Sequence, residues 1–261
     1  MSRLEAVFSA CRAESRAALI GYLPAGYPTV SGSVDVLRAM VESGCDVVEV
    51  GLPFSDPVMD GPTIQRAAEQ ALGGGFRVRD LFGVVEQVSA AGGRAVVMTY
   101  WNPVLAYGVD RFARDLAAAG GLGLITPDLV PDEATEWIAA SEEHDLDRIF
   151  LVAPSSTEER IALTASSSRG FLYATSVMGV TGARDAVSSA APELVARVRE
   201  HATLPIGVGL GVRNGDQAAE LAAFADGVIV GSAFVSAVET GTVADLTRDL
   251  AEGVRRVPSR A

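Results

Sequence analysis

The chain has 261 residues, of which 49% are apolar, enough for a large buried core and too many for a disordered chain. A formal net charge of -12 argues against nucleic acid or an anionic membrane as partner, but not against a small phosphorylated molecule held locally by backbone N–H groups. There is no lysine, so neither a carbonyl substrate nor pyridoxal phosphate can be held as a lysine Schiff base.

In chain order, an amphipathic helix near Arg3–Glu14 comes first. Short aliphatic or β-branched runs then alternate with helical stretches. Strands are predicted near Ala18–Tyr22, Val47–Gly51, Ala95–Thr99, Gly123–Thr126, Arg148–Val152, Phe171–Thr175, Ile206–Gly209 and Gly227–Val230. Helices are predicted over Val34–Ser43, Arg111–Ala119, Glu133–Glu142, Glu158–Ala165, Pro192–His201 and Asp216–Phe224. The segment Val78–Ala91 lengthens the second unit and Thr242–Val257 closes the chain. Asp132 before Glu133, and Ser156-Thr157 before Glu158-Glu159, are helix-start signals.

Eight such units are expected to close into one parallel (β/α)8 barrel, a TIM barrel spanning residues 1–261 with an extra N-terminal helix. An open doubly wound sheet is the alternative, and the glycine-rich GxGxxG turn expected after its first strand is missing. Cys11 and Cys45 lack metal or redox spacing and read as buried or free thiols. With no signal-peptide pattern and no apolar run long enough to span a bilayer, a cytoplasmic protein is expected.

In such a barrel the chemistry lies just after each strand. Glu49 shares one strand face with Val47 and Gly51, and a carboxylate in a Val-rich buried strand must be paired or carry a raised pKa. Asp60, eleven residues on, sits in a loop punctuated by proline and glycine that can fold over the mouth. Two carboxylates in different environments suit acid–base work. Alternatively, Glu49 neutralises a core arginine and Asp60 only makes a turn. Glycine clusters at Gly179–Gly182, Gly207–Gly211 and Gly231 follow the last three strands and suggest a phosphate cradle, with Ser232 at a helix start. His144 and His201 fall at predicted helix ends on the wrong side of their units, so no metal site is read from them.

The segment Glu49–Gln65 (EVGLPFSDPVMDGPTIQ) closely resembles the signature of the tryptophan synthase alpha subunit family. Tyr22–Gly26, Met98–Pro103, Pro127-Asp128, Gly179–Gly182 and Gly231-Ser232 match in order and spacing, so the resemblance covers essentially the whole chain. It implies a lyase that splits indole-3-glycerol phosphate into indole and glyceraldehyde 3-phosphate without a cofactor of its own, beside a pyridoxal-phosphate beta subunit. It makes Glu49 and Asp60 catalytic, and places Tyr22, Tyr100, Ile125, Leu151, Tyr173, Thr181, Leu210 and Ile229 around the substrate. Gly182, Gly211, Gly231 and Ser232 take the phosphate, and Asp56 and Pro57 face the partner. Val177 and Pro24 depart from residues common in the family, an arginine and a threonine. A free-standing indole-releasing lyase and a non-catalytic activating subunit are the competing readings.

Overall fold

The computed structural model describes residues 1–175, 190–209 and 211–256. Helix α1 (Arg3–Ala13) precedes strand β1 (Ala18–Pro24), and the alternation continues with α2 (Val30–Ser43), β2 (Val47–Gly51), α3 (Pro62–Gly73), α4 (Val78–Ala90) and β3 (Ala95–Met98). Helices α5 (Trp101–Tyr107) and α6 (Val109–Ala118), β4 (Gly123–Ile125), α7 (Thr135–Glu143), β5 (Asp147–Ile149), β6 (Leu151–Val152), α8 (Glu158–Ser167) and β7 (Leu172–Thr175) follow. The rest of the described chain is α9 (Ala190–His201), β8 (Ile206–Gly209), α10 (Gly215–Ala222), β9 (Gly227–Val230), α11 (Ser232–Thr240) and α12 (Val243–Gly253).

Every strand pairing is parallel, in the order β5-β4-β3-β2-β1-β9-β8-β7-β6. The two ends of that order, β5 and β6, are separated only by Phe150, so the chain itself closes the barrel. The single fifth strand expected over Arg148–Val152 is thus two short segments. The first pairs with β4 and the second with β7. Barrel strands are staggered, so the lower half of one faces one neighbour and the upper half faces the other.

Alternation along the strands sorts side chains into two cores. Val48, Val50, Val97, Leu124, Phe150, Leu172, Val208 and Val228 point outward and pack under the helices. Ala18, Ile20, Val47, Val96, Ile125, Ile149, Phe171 and Ile229 fill the barrel with Leu4, Val7, Phe8 and Cys11 of α1. Helix α1 is therefore the plug of the N-terminal end, with Phe8 against Phe171 at 5.3 Å between ring centroids. Ser2 fixes the plug: its hydroxyl caps α1 by accepting from the Glu5 N–H (3.2 Å) and donates to the buried Asp147 carboxylate (2.7 Å).

Helix boundaries moved where capping groups decided them. Helix α2 begins at Val30 rather than Val34, because the Thr29 hydroxyl accepts from the Gly32 N–H at 3.0 Å. Asp132 and Glu133 fall in a 3-10 turn over Pro131–Glu133, and α7 starts only at Thr135. The start signal at Thr157 holds, its hydroxyl accepting from the Arg160 N–H. Cys11 and Cys45 are free and buried. No helix of the described residues is long and apolar enough to cross a membrane.

Candidate active site

Strand β2 presents Val47, Glu49 and Gly51 to the interior, and β1 pairs with it so that Tyr22 stands opposite Glu49. Glu49 is 1% exposed. Its Oε1 meets no hydrogen-bond donor among the described residues. Burial alone pushes the Glu49 carboxyl up to about 8, with no arginine contributing. The alternative of a core ion pair at Glu49 has no support in this geometry.

Asp60 reaches the same mouth from the β2–α3 loop. The Tyr100 ring, tilted by 34° against Phe54 at 5.3 Å between centroids, holds that loop, and its hydroxyl accepts from the Met59 N–H at 3.0 Å. The Gln65 side-chain amide donates to the Asp60 carbonyl at 2.8 Å, tying the loop to the first turn of α3. Burial raises the Asp60 carboxyl to about 6, and a hydrogen bond from Tyr100 restrains the shift. Asp60 is thus a positioned side chain rather than a turn residue only. The acid Glu49 and the carboxylate Asp60 titrate on opposite sides of neutral pH.

Tyr22, Tyr100 and Tyr173 surround the pair. Burial and the two carboxylates push the hydroxyls of Tyr22 and Tyr173 up well above their ordinary range. Two glycines make room for them, a feature the motifs did not single out. A Cβ on Gly51 would lie 2.4 Å from the Tyr22 hydroxyl, and one on Gly209 would lie 2.5 Å from the Tyr173 hydroxyl. Ile125 (0% exposed) and Ile229 (3%) floor the mouth from the inner core, and Leu151 packs beside them.

Three of the candidate phosphate residues, Gly211, Gly231 and Ser232, are among the described residues. Gly211 takes φ +61°, a left-handed conformation that favours glycine. Gly231 precedes α11, whose first residue is Ser232. Ser232 and Ala233 line one end of a depression of about 340 Å3 with Pro62, Thr63 and Arg213, and it continues along α11 past Ser236 and Thr240 to Leu246 of α12. The unpaired N–H groups of a helix start favour an anion there. Arg213, not anticipated as a site residue, adds a cation to that wall. Thr181, Gly182, Leu210 and Val177 lie outside the described residues. On the rim, Asp56 is exposed and accepts from the Ser55 hydroxyl at 2.6 Å; Pro57 is half-buried and Val58 is 69% exposed. His144 and His201 lie away from the mouth, against Asp110 and Glu158.

A (β/α)8 barrel whose mouth holds two carboxyls, both pushed up by burial but to different extents, is equipped for acid–base chemistry. The family model for the tryptophan synthase alpha chain matches residues 8–257. The chain is 72% identical to the tryptophan synthase alpha chain of Nocardia farcinica over 256 residues, 97% of this chain and 96% of that one. It superposes on a structure of Mycobacterium tuberculosis tryptophan synthase with TM-score 0.95 at 68% identity, covering 97% of this chain and 98% of that one. For a chain of the tryptophan synthase α2β2 complex of Pyrococcus furiosus the TM-score is 0.84 at 30% identity, covering 91% and 98%. The chain belongs to the tryptophan synthase alpha chain family, the carbon–carbon lyase component of tryptophan biosynthesis.

The raised Glu49 pKa has a consequence for stability. Between its ordinary value of 4.5 and about 8 the folded chain keeps a proton that the unfolded chain releases, so stability falls as pH rises through that window. The slope is roughly 1.4 kcal/mol per pH unit for one proton. Asp60 adds the same sign only up to about 6. Denaturant unfolding of Glu49→Gln between pH 6.5 and 8 is expected to show a slope flatter by about one proton. A variant less stable than the parent at every pH, with the slope retained, would show that Glu49 is a structural ion-pair partner instead.

Proposed function

We propose that this chain, as a cytoplasmic alpha subunit, cleaves indole-3-glycerol phosphate to indole and glyceraldehyde 3-phosphate, with Glu49 as acid and then base and Asp60 as the ionised stabiliser. The observation that carries the reading is the split between a carboxyl at about 8 and one at about 6 across one mouth.

The steps close on themselves. Glu49, protonated at neutral pH, gives its proton to C3 of the indole ring. The ring nitrogen then carries positive charge, which the Asp60 carboxylate offsets. The Glu49 carboxylate takes the proton of the hydroxyl on the adjacent carbon. That oxygen forms a carbonyl, the carbon–carbon bond breaks, and its electron pair returns to the ring. Indole keeps the first proton, and Glu49 has regained one from the hydroxyl. No Schiff base is required, because the protonated indole ring is its own electron sink.

The phosphate is assigned to the backbone of Gly211 and the start of α11, with Gly231 and Ser232; Gly182 is carried by the family resemblance. Tyr22, Tyr100, Leu151, Tyr173 and the two isoleucines shape the space for the ring, with Thr181 and Leu210 added by resemblance. The exposed Asp56 and Val58, with half-buried Pro57 between them, continue the loop that holds Asp60, which supports a beta-subunit contact there that reports directly to the chemistry.

Single-turnover cleavage is expected to fall by about a hundredfold to ten-thousandfold in both Glu49→Gln and Asp60→Asn, with substrate binding retained because the phosphate groups lie elsewhere. The parent rate is expected to be bell-shaped in pH, with limbs near 6 and 8. Cleavage by Glu49→Gln at near the parent rate would overturn the assignment. For the partner, Asp56→Ala should lower the rate gain on adding a beta subunit while sparing the basal rate. An equal loss of basal rate would remove Asp56 from the interface.

A further inference from the structure

The Pro127-Asp128 pair follows β4 and has no part in the proposed chemistry. Both carboxylate oxygens of Asp128 accept from one backbone group, the Trp101 N–H, at 2.9 and 3.1 Å. That N–H opens α5, whose N-cap is Tyr100, and the Tyr100 side chain makes no capping hydrogen bond. The start of α5 is therefore capped from another loop, by a charged acceptor, which is the stronger kind. Thr99 docks on the same side. Its N–H donates to the Ile125 carbonyl at 3.1 Å, and its hydroxyl donates to the Tyr100 carbonyl at 3.0 Å. Strand β3 lies between β4 and β2, so the Tyr100 backbone is fixed from the β4 side while its side chain reaches the β2–α3 loop. That side chain, 5% exposed, packs on Phe54, accepts from the Met59 N–H and donates to the Asp60 carboxylate.

We infer that Asp128 is a positioning residue for Asp60: by capping the start of α5 it fixes the Tyr100 side chain, whose hydroxyl holds the Asp60 carboxylate at the mouth. The inference rests on the proposed cleavage and extends it to a residue that bonds to neither carboxyl. A donor to the ionised form lowers a carboxyl pKa, and Tyr100 does this for Asp60 against the upward push of burial. The other titratable groups around Asp60 are Tyr22 on β1 and Tyr173 on β7, which its charge pushes up, and Glu49 on β2, which acts on the same two tyrosines. Of all these, Tyr100 alone contributes to the Asp60 shift. Weakening the cap leaves Asp60 with a poorly aimed donor, so its carboxyl titrates higher and is less well placed to offset charge on the ring.

The test is a double-mutant cycle of Asp128→Ala and Tyr100→Phe in the full chain. It is read by kcat and KM for indole-3-glycerol phosphate across pH, and by carbon-13 NMR titration of the Asp60 carboxyl in the ligand-free protein. The Asp60 signal is identified by its loss in Asp60→Asn. Tyr100→Phe is expected to raise the Asp60 midpoint and the acid limb of the rate profile by about one pH unit. Asp128→Ala is expected to move both the same way by about half a unit, and to lower kcat about threefold to tenfold with KM kept within about twofold. Asp128→Asn keeps an acceptor for the Trp101 N–H and is expected to recover most of both. In the double variant, Asp128→Ala should remove nothing beyond what Tyr100→Phe removes, because it acts through the tyrosine. Losses that multiply in the double variant would show another route and overturn the inference. So would an Asp60 midpoint unmoved by Asp128→Ala, even in a variant that unfolds earlier, since Asp128 would then be a structural cap only. If the parent chain does not cleave the substrate, the lyase assignment fails separately. The NMR midpoints then still decide whether Asp128 acts on Asp60 through Tyr100.

Discussion

The constraint on which the rest depends is the placement of one carboxyl inside a closed sheet. A barrel has no free edge and its strands are covered on both faces, so β2 is buried from Val47 to Gly51. Glu49 is the one ionisable side chain in that strand. The ionised form would have to give up water without gaining a cationic partner among the described residues, and so burial pushes the Glu49 pKa up to about 8. The same burial that weakens the fold at alkaline pH makes a carboxylic acid available at neutral pH. Stability and reactivity are here two readings of one desolvation.

Asp60 shows the opposite solution to the same problem. It comes from a loop, it is only partly buried, and Tyr100 donates a hydrogen bond to it, so it titrates near 6. Tyr100 also accepts from the Met59 N–H and packs its tilted ring against Phe54, which ties the loop carrying Asp60 to the end of β3. Exposed Asp56 and Val58, with half-buried Pro57, lie between those two anchors. A partner pressing on the rim would therefore act on the loop that carries Asp60 rather than on the buried Glu49. Helix α11 starts just after β9, which pairs with β1 on the side away from β2, so the proposed phosphate contact and the proposed acid stand one strand apart.

Much of this was legible in the sequence because local chemistry announces itself. A glutamate in a Val-rich run reads as perturbed whatever the fold, and glycines at successive strand ends read as close approach. The strand and helix alternation carried the barrel, which the closed parallel sheet bears out. The break at Phe150 was not legible, since it reflects barrel stagger rather than any property of residues 147–152. Helix starts shifted where Thr29 and the Pro131 turn took over. The fit of Tyr22 over Gly51 and of Tyr173 over Gly209 depends on strands brought together by closure, as does the lack of an ion pair at Glu49 among the described residues. No spacing rule contains those contacts.

The central claim is that Glu49 is a neutral acid at the pH where the chain works. Infrared difference spectroscopy of the parent chain against Glu49→Gln, from pH 6 to 10, addresses it without any substrate. The account requires a protonated-carboxyl carbonyl band at pH 7, present in the parent and missing in the variant, that disappears with a midpoint of about 8. A parent spectrum showing only carboxylate for this residue at pH 7 would contradict it.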